Sequence, residues 1–333
     1  MLWNTITAYL QPRFDYYGVA GNLILISAGL ALAFGIIWLI GHRPPFIREP
    51  LLWVTAIASA LLTVMATAFI FIPLNYYYTQ WLGNTFNTGT LADMVLVWSI
   101  PIVLVIGLVQ EGAKMIPMLF WRTGSEKPDI RFSMMIGAAA GAGYGIFEAF
   151  YSYNQVFKAG WGWSDVTTGG ITALLPFWIY FWMIACHIGI SALVGYGLGK
   201  GKGWVYYLLA AFLHALVSYA AILATNGNIT GNQLGIIIAL AGLIIIGISL
   251  WLRWRKYDEE EPDTVTEPTP SKSRGDETPL TALPEQKMSK MPEPATLPPL
   301  ISQQIPPPPR QGNPPPVPPS KGIPPPPPKT LWS

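Results

Sequence analysis

Residues 133–154 read SMMIGAAAGAGYGIFEAFYSYN, an apolar run whose one charged side chain is Glu148. About 20 such residues suffice to cross roughly 30 Å of hydrocarbon as a helix, so this stretch is expected to span a membrane. Gly137, Gly141 and Gly145 recur every four residues, with Gly143 between them, and Glu148 continues the stripe three residues beyond Gly145. Small residues at this spacing let helices approach closely in lipid, which marks the stripe as a packing face. Glu148 then points into a helix bundle instead of out to lipid.

Six more runs of sufficient length lie on either side, at about 21–41, 51–73, 94–120, 170–199, 204–226 and 234–254. The expected fold is an all-α polytopic membrane protein of about seven transmembrane helices. A composition of 51% hydrophobic and 11% charged residues over 333 positions agrees with that class. Of the 32 prolines, nine precede Tyr257 and 23 follow it. We therefore divide the chain into an exterior N-terminal segment (1–20), a seven-helix membrane domain (21–257) and a tail (258–333), acidic at first and then Pro-rich. The tail lacks the apolar residues to offset ordering entropy and is expected to be disordered with local polyproline II character. It is read as a solvated spacer; the alternative is a docking segment at 306–329 for a partner with SH3-like or WW-like aromatic grooves, since proline runs at 306–309, 314–316 and 324–328 lie beside Arg310, Lys321 and Lys329. Cys186 is the one cysteine, which excludes an intramolecular disulfide. A net charge of +2 carries no expectation of a nucleic-acid partner. The first 20 residues hold a single Arg13 and no basic stretch, unlike a cleavable signal, so the first helix is expected to be retained.

Basic residues alternate between loops. Arg43 and Arg48 follow the first span, Arg122, Lys127 and Arg131 the third, Lys200 and Lys202 the fifth, and Arg253, Arg255 and Lys256 the seventh; Arg13 and Lys158 fall on the opposite side. The positive-inside rule then places the N-terminus outside and the C-terminus in the cytoplasm. Loop 74–93, with Tyr76, Tyr77, Tyr78 and Trp81, and the turn Trp161 to Trp163 are expected as exterior aromatic belts.

Four polar residues fall inside different spans: Glu111, Glu148, His187 and His214. A buried acid or imidazole at bilayer depth costs a few kcal/mol or more, so such groups persist where they pair, line a wet cavity or take part in chemistry. Glu111 and Lys114 stand three residues apart on one helix face and can pair; a buried ion pair with Lys114 reaching toward the interface is the plainer alternative. His187 is followed at i+4 by Ser191, and His214 is flanked by Ala210, Ala211 and Ser218. These small, polar faces turn both imidazoles inward. His187 and His214 stand about 12 and 10 residues from the inner ends of their helices, depths that agree within about 3 Å. Glu148, about 15 residues from its own inner end, lies further out. His42 is expected at the interface, and Cys186 to pack.

A carboxylate can activate water in an enclosed cavity while an imidazole donates a proton or holds the developing oxyanion. The same groups could hold a divalent metal, with Glu148, His187 and His214 the expected ligands and zinc the ion such donors suit. No HExxH is present, spacing does not choose between the two, and no cofactor is favoured. The motif order Gln110-Glu111-x-x-Lys114, Gly141-x-Gly143-Tyr144-Gly145-x-x-Glu148-Ala149, His187 ahead of a Gly-rich helix end, and His214 one helix later resembles the PrsW/YhfC-like branch of the CAAX-protease-related intramembrane proteases. The resemblance covers about residues 94–226. It implies cleavage of peptide bonds in membrane-embedded or membrane-anchored protein substrates, in a multi-pass protein of a prokaryotic plasma membrane. It also implies that Glu111 opens the site, Lys114 takes a basic position, Glu148 the second acidic position, and His187 and His214 the histidine positions. Family members are described both as metalloproteases and as metal-independent glutamate proteases. Gln110 departs from the family pattern, which has a glutamate there, and an amide takes up no proton at neutral pH.

Three readings follow. The first is an intramembrane endopeptidase with Glu111, Glu148, His187 and His214 as catalytic residues, supported by Lys114, Gln110, Tyr144, Ser191 and Ser218. The second is a catalytically inactive scaffold that recruits cytoplasmic partners through the tail. The third is a transporter or proton channel.

Overall fold

The computed structural model describes residues 1–121 and 129–256. The expected Pro-rich tail and loop residues Arg122 and Lys127 lie outside them. The regular structure among the described residues is helical, joined by short turns: α1 (Leu2–Phe14), α2 (Gly21–Leu39), α3 (Leu51–Ala66), α4 (Ile72–Thr85), α5 (Thr88–Asp93), α6 (Val95–Phe120), α7 (Ile130–Lys158), α8 (Trp163–Gly169), α9 (Leu175–Gly199), α10 (Gly203–Thr225) and α11 (Gly231–Trp254). Seven helical stretches are long and apolar enough to cross a membrane, and they match the seven runs read from the sequence.

Several boundaries differ: the fifth span begins at Trp163 instead of 170 and the fourth ends at Lys158 instead of 154. Two further differences have a local cause. The second span does not stop at 73. A π-helical turn, Thr67–Phe71, joins α3 to α4, so the span runs from Leu51 to Thr85 and the tyrosines expected in a loop are helical. Pro73, which has no N–H to give, follows directly on this turn, where the Ile72 N–H already bonds five residues back to the Thr67 carbonyl instead of four. The fourth span begins at Ile130 instead of 133 because Asp129 caps it, its carboxylate accepting from the Phe132 N–H.

α7 and α9 form the centre, and the other spans surround them. They run antiparallel at backbone contact. A Cβ on Gly137 would overlap the Ser191 carbonyl oxygen, one on Gly141 that of His187, and one on Gly195 that of Ser133. The glycine stripe thus sets the register of the central pair, as small residues do where lipid offers no hydrophobic drive for association. Gly107 plays the same part between α6 and α10, against the Ala211 carbonyl. At one end of the bundle Arg131 donates to the Arg255 carbonyl at 3.2 Å and the Arg43 guanidinium lies 5.1 Å from the Trp254 ring centroid. Basic residues from three loops therefore share that end.

Candidate functional site

The packing of α6, α7, α9 and α10 brings all four intramembrane polar residues into one hydrogen-bonded cluster. The Lys114 ammonium donates to Glu111 Oε1 at 2.5 Å and lies 3.2 Å from His187 Nδ1. His214 Nδ1 stands 2.7 Å from the same Glu111 oxygen, and His187 Nε2 stands 2.8 Å from Glu148 Oε2. The Tyr144 hydroxyl donates to Glu148 Oε1 at 3.5 Å, with its ring edge-on to His187. The two imidazole centroids are 5.5 Å apart.

Glu148 reaches this cluster in spite of its depth. Gly141 lies opposite His187, so the Glu148 Cα stands seven residues, about 10 Å, further along α7. Helical side chains lean toward the N-terminus of their helix. In an antiparallel pair the lean of Glu148 along α7 and that of His187 along α9 carry the two groups toward each other.

Partners decide the tautomers. An ammonium offers protons only, so His187 Nδ1 accepts from Lys114 and its Nε2–H donates to Glu148. His214 Nδ1–H donates to Glu111, which leaves His214 Nε2 without a protein partner among the described residues. Glu111 and Lys114 are 0% exposed, and the second Glu111 oxygen is sealed without a partner among the described residues. Lys114 does not reach the interface. Glu148 keeps 27% side-chain exposure. It lines, with His214, Gln110, Ser218, Tyr180 and Met183, a cavity of about 460 Å³. The cluster thus has a buried half, Glu111 with Lys114, and a half facing the cavity, Glu148 with His214.

Among the supporting residues, Tyr144 and Lys114 bond within the cluster and Ser218 lines the cavity. Ser191 is buried one turn beyond His187 and its hydroxyl has no partner among the described residues, so it belongs to the helix contact. Gln110 donates to the Thr67 hydroxyl at 3.2 Å. Nothing in the sequence marks Thr67, the first residue of the π-helical turn, since it is one of several threonines in an apolar run. Such turns recur at functional sites because they re-aim a side chain within a helix.

For a metal, one ligand atom each from Glu111, His187 and His214 lies within 4.8 Å of the others. This trio contains Glu111 where the sequence reading named Glu148. These residues could coordinate an ion, with Lys114 as the competitor, since its ammonium already bonds two of them.

Compared with protein-family models, curated proteins and solved structures, the chain has no significant match. What stands independently of any family is a polytopic all-α membrane protein with a buried Glu/His/His cluster.

Proposed function

We propose that this protein is an intramembrane endopeptidase that hydrolyses peptide bonds with a water activated by Glu148. The observation that carries the reading is the division of the cluster: the cavity wall presents one carboxylate and one imidazole, Glu148 held from behind by His187 and His214 by Glu111. In the mechanism, Glu148 removes a proton from water as the water oxygen bonds to the scissile carbonyl carbon. His214, protonated, with its Nδ1–H on Glu111, donates Nε2–H to the oxyanion. As the C–N bond breaks, the proton on Glu148 passes to the leaving amine. His187 fixes the Glu148 carboxylate, and Lys114 balances Glu111. Glu111 and Lys114 are positioning residues in this scheme, since the cavity does not reach them.

Lys114 also supports a metal-independent reading. A zinc ion about 4 Å from its ammonium would meet a repulsion of about 8 kcal/mol at an effective dielectric near 20, so loading the trio requires Lys114 to move or lose its proton. With the ion bound, Glu111, His187 and His214 would be its ligands and it would supply Lewis acidity to the bound water.

The test is cleavage of a transmembrane-segment peptide by purified protein in liposomes. Glu148→Gln and His214→Ala should each lower the rate by about 10²- to 10⁴-fold with the fold retained, and activity should persist after chelation with zinc content far below one per chain. Unchanged cleavage in both variants refutes the mechanism. A second reading, a non-catalytic scaffold, draws on Gln110, whose amide occupies a cavity position and takes up no proton. It predicts a wild type that binds such peptides and never cleaves them.

A further inference from the structure

Away from the cluster, α2 and α3 are consecutive antiparallel spans, yet they scarcely touch; each packs on α7. A cleft lies between them, floored by Gly143 and Ile146 of α7. It has two lobes, of about 420 and 350 Å³, which share Leu32, Trp53 and Ala56 as well as that floor. One lobe ends at Arg43 and the other reaches Ala28. From Ala28 to Ile40 the cleft follows α2 for about 18 Å, close to the roughly 15 Å of a single leaflet's hydrocarbon. Lipid-facing volume of this kind is filled in a bilayer, and its size selects the occupant. A helix about 10 Å across and 18 Å long would need about 1,400 Å³, about twice the volume of the two lobes together. An extended acyl chain is slender enough.

The end of the cleft names the headgroup. Arg43 is exposed, forms no ion pair among the described residues, and stacks over the Trp254 ring. Its backbone φ of 49° makes it the one non-glycine in the left-handed region among the described residues. That conformation is costly for a long side chain and is retained where the surroundings or a function demand it. Beside it Phe46 and Trp53 pack ring to ring at 4.5 Å, an aromatic pair suited to the glycerol level. An apolar slot one leaflet long, closed by an unpaired guanidinium, is complementary to an anionic phospholipid.

We propose that the α2–α3 cleft binds one anionic phospholipid, an acyl chain lying on Gly143 and Ile146 and the phosphate on Arg43. This goes beyond the peptidase reading and does not depend on it. The test is native mass spectrometry of the delipidated full chain, titrated with phosphatidylglycerol or phosphatidylcholine of equal chain length. Cross-links from a photoreactive acyl chain are mapped in parallel. The wild type should bind a single phosphatidylglycerol about fivefold more tightly than phosphatidylcholine, the contribution of one arginine at the lipid surface. Arg43→Gln should remove that preference. Leu32→Trp and Ile57→Trp, both at exposed positions on the cleft, should weaken both lipids while the melting temperature is held; if one does not fold, the other reports. Cross-links should fall on residues 28–61 and 142–150. Equal binding of the two lipids by wild type, wild-type binding by a folded groove-filling variant, or capture of a transmembrane peptide that phosphatidylglycerol does not compete away would each overturn the proposal.

Discussion

Lys114 is the residue on which the site turns. Its ammonium, fully buried, holds one oxygen of Glu111 and one nitrogen of His187. It thereby balances a carboxylate that the bilayer would otherwise expel, and it sets the tautomer through which His187 donates to Glu148. Removing one member of a buried ion pair leaves an uncompensated charge and costs about 3–5 kcal/mol, whereas replacing both by apolar groups costs far less. Glu111→Gln or Lys114→Met alone should therefore lower the melting temperature in detergent sharply. The double variant should recover most of the loss while remaining inactive in cleavage. Additive losses in the double variant would show that the two side chains act independently.

At the level of the elements, α7 and α9 carry the site because glycine lets their backbones touch. Gly141→Ala would press a Cβ into the His187 carbonyl oxygen, and such overpacking typically costs 1–3 kcal/mol. It should also part Glu148 from His187 and lower the cleavage rate. Gly247 on α11 has nothing within 4 Å of an added Cβ, so Gly247→Ala should be neutral or stabilising by up to about 1 kcal/mol. Paired melts of the two variants check the claim; equal effects would remove the glycine register as its basis. The stripe was legible in the sequence because i, i+4 spacing is a property of one helix. The helical course of 74–85 and the place of Thr67 were not, since a π turn arises where two segments of one span must each meet different neighbours.

Across the whole bundle, the loop after α2 is tied to the last of the described helices, α11. His42, expected at the interface, is instead fully buried, with Nε2 3.1 Å from the Ser249 hydroxyl of α11, and Trp254 donates to the Gly41 carbonyl. Burial, and next the positive charge of Arg253, lower the His42 pKa from 6.5 to about 4. The sign follows from linkage: between these values the unfolded chain binds a proton that the folded chain refuses. The stability contributed by neutral His42 is complete above pH 6.5 and is lost as pH falls toward 4. Melting temperature in detergent should drop across that window. His42→Gln should start lower and lose that component of the slope; an unchanged pH dependence would rule out His42 as its source.

Membrane class, the number of spans and the identity of the four intramembrane polar residues were determined by the sequence alone, because hydropathy, small-residue spacing and the cost of burying charge are local properties of a segment. Only the tertiary structure decided who pairs with whom. Glu111 and Glu148 look alike along the chain, yet antiparallel packing seals the first against Lys114 and turns the second toward a cavity. The direction in which two helical side chains lean, and the close approach that glycine permits, are relations between segments that spacing within any one of them cannot express.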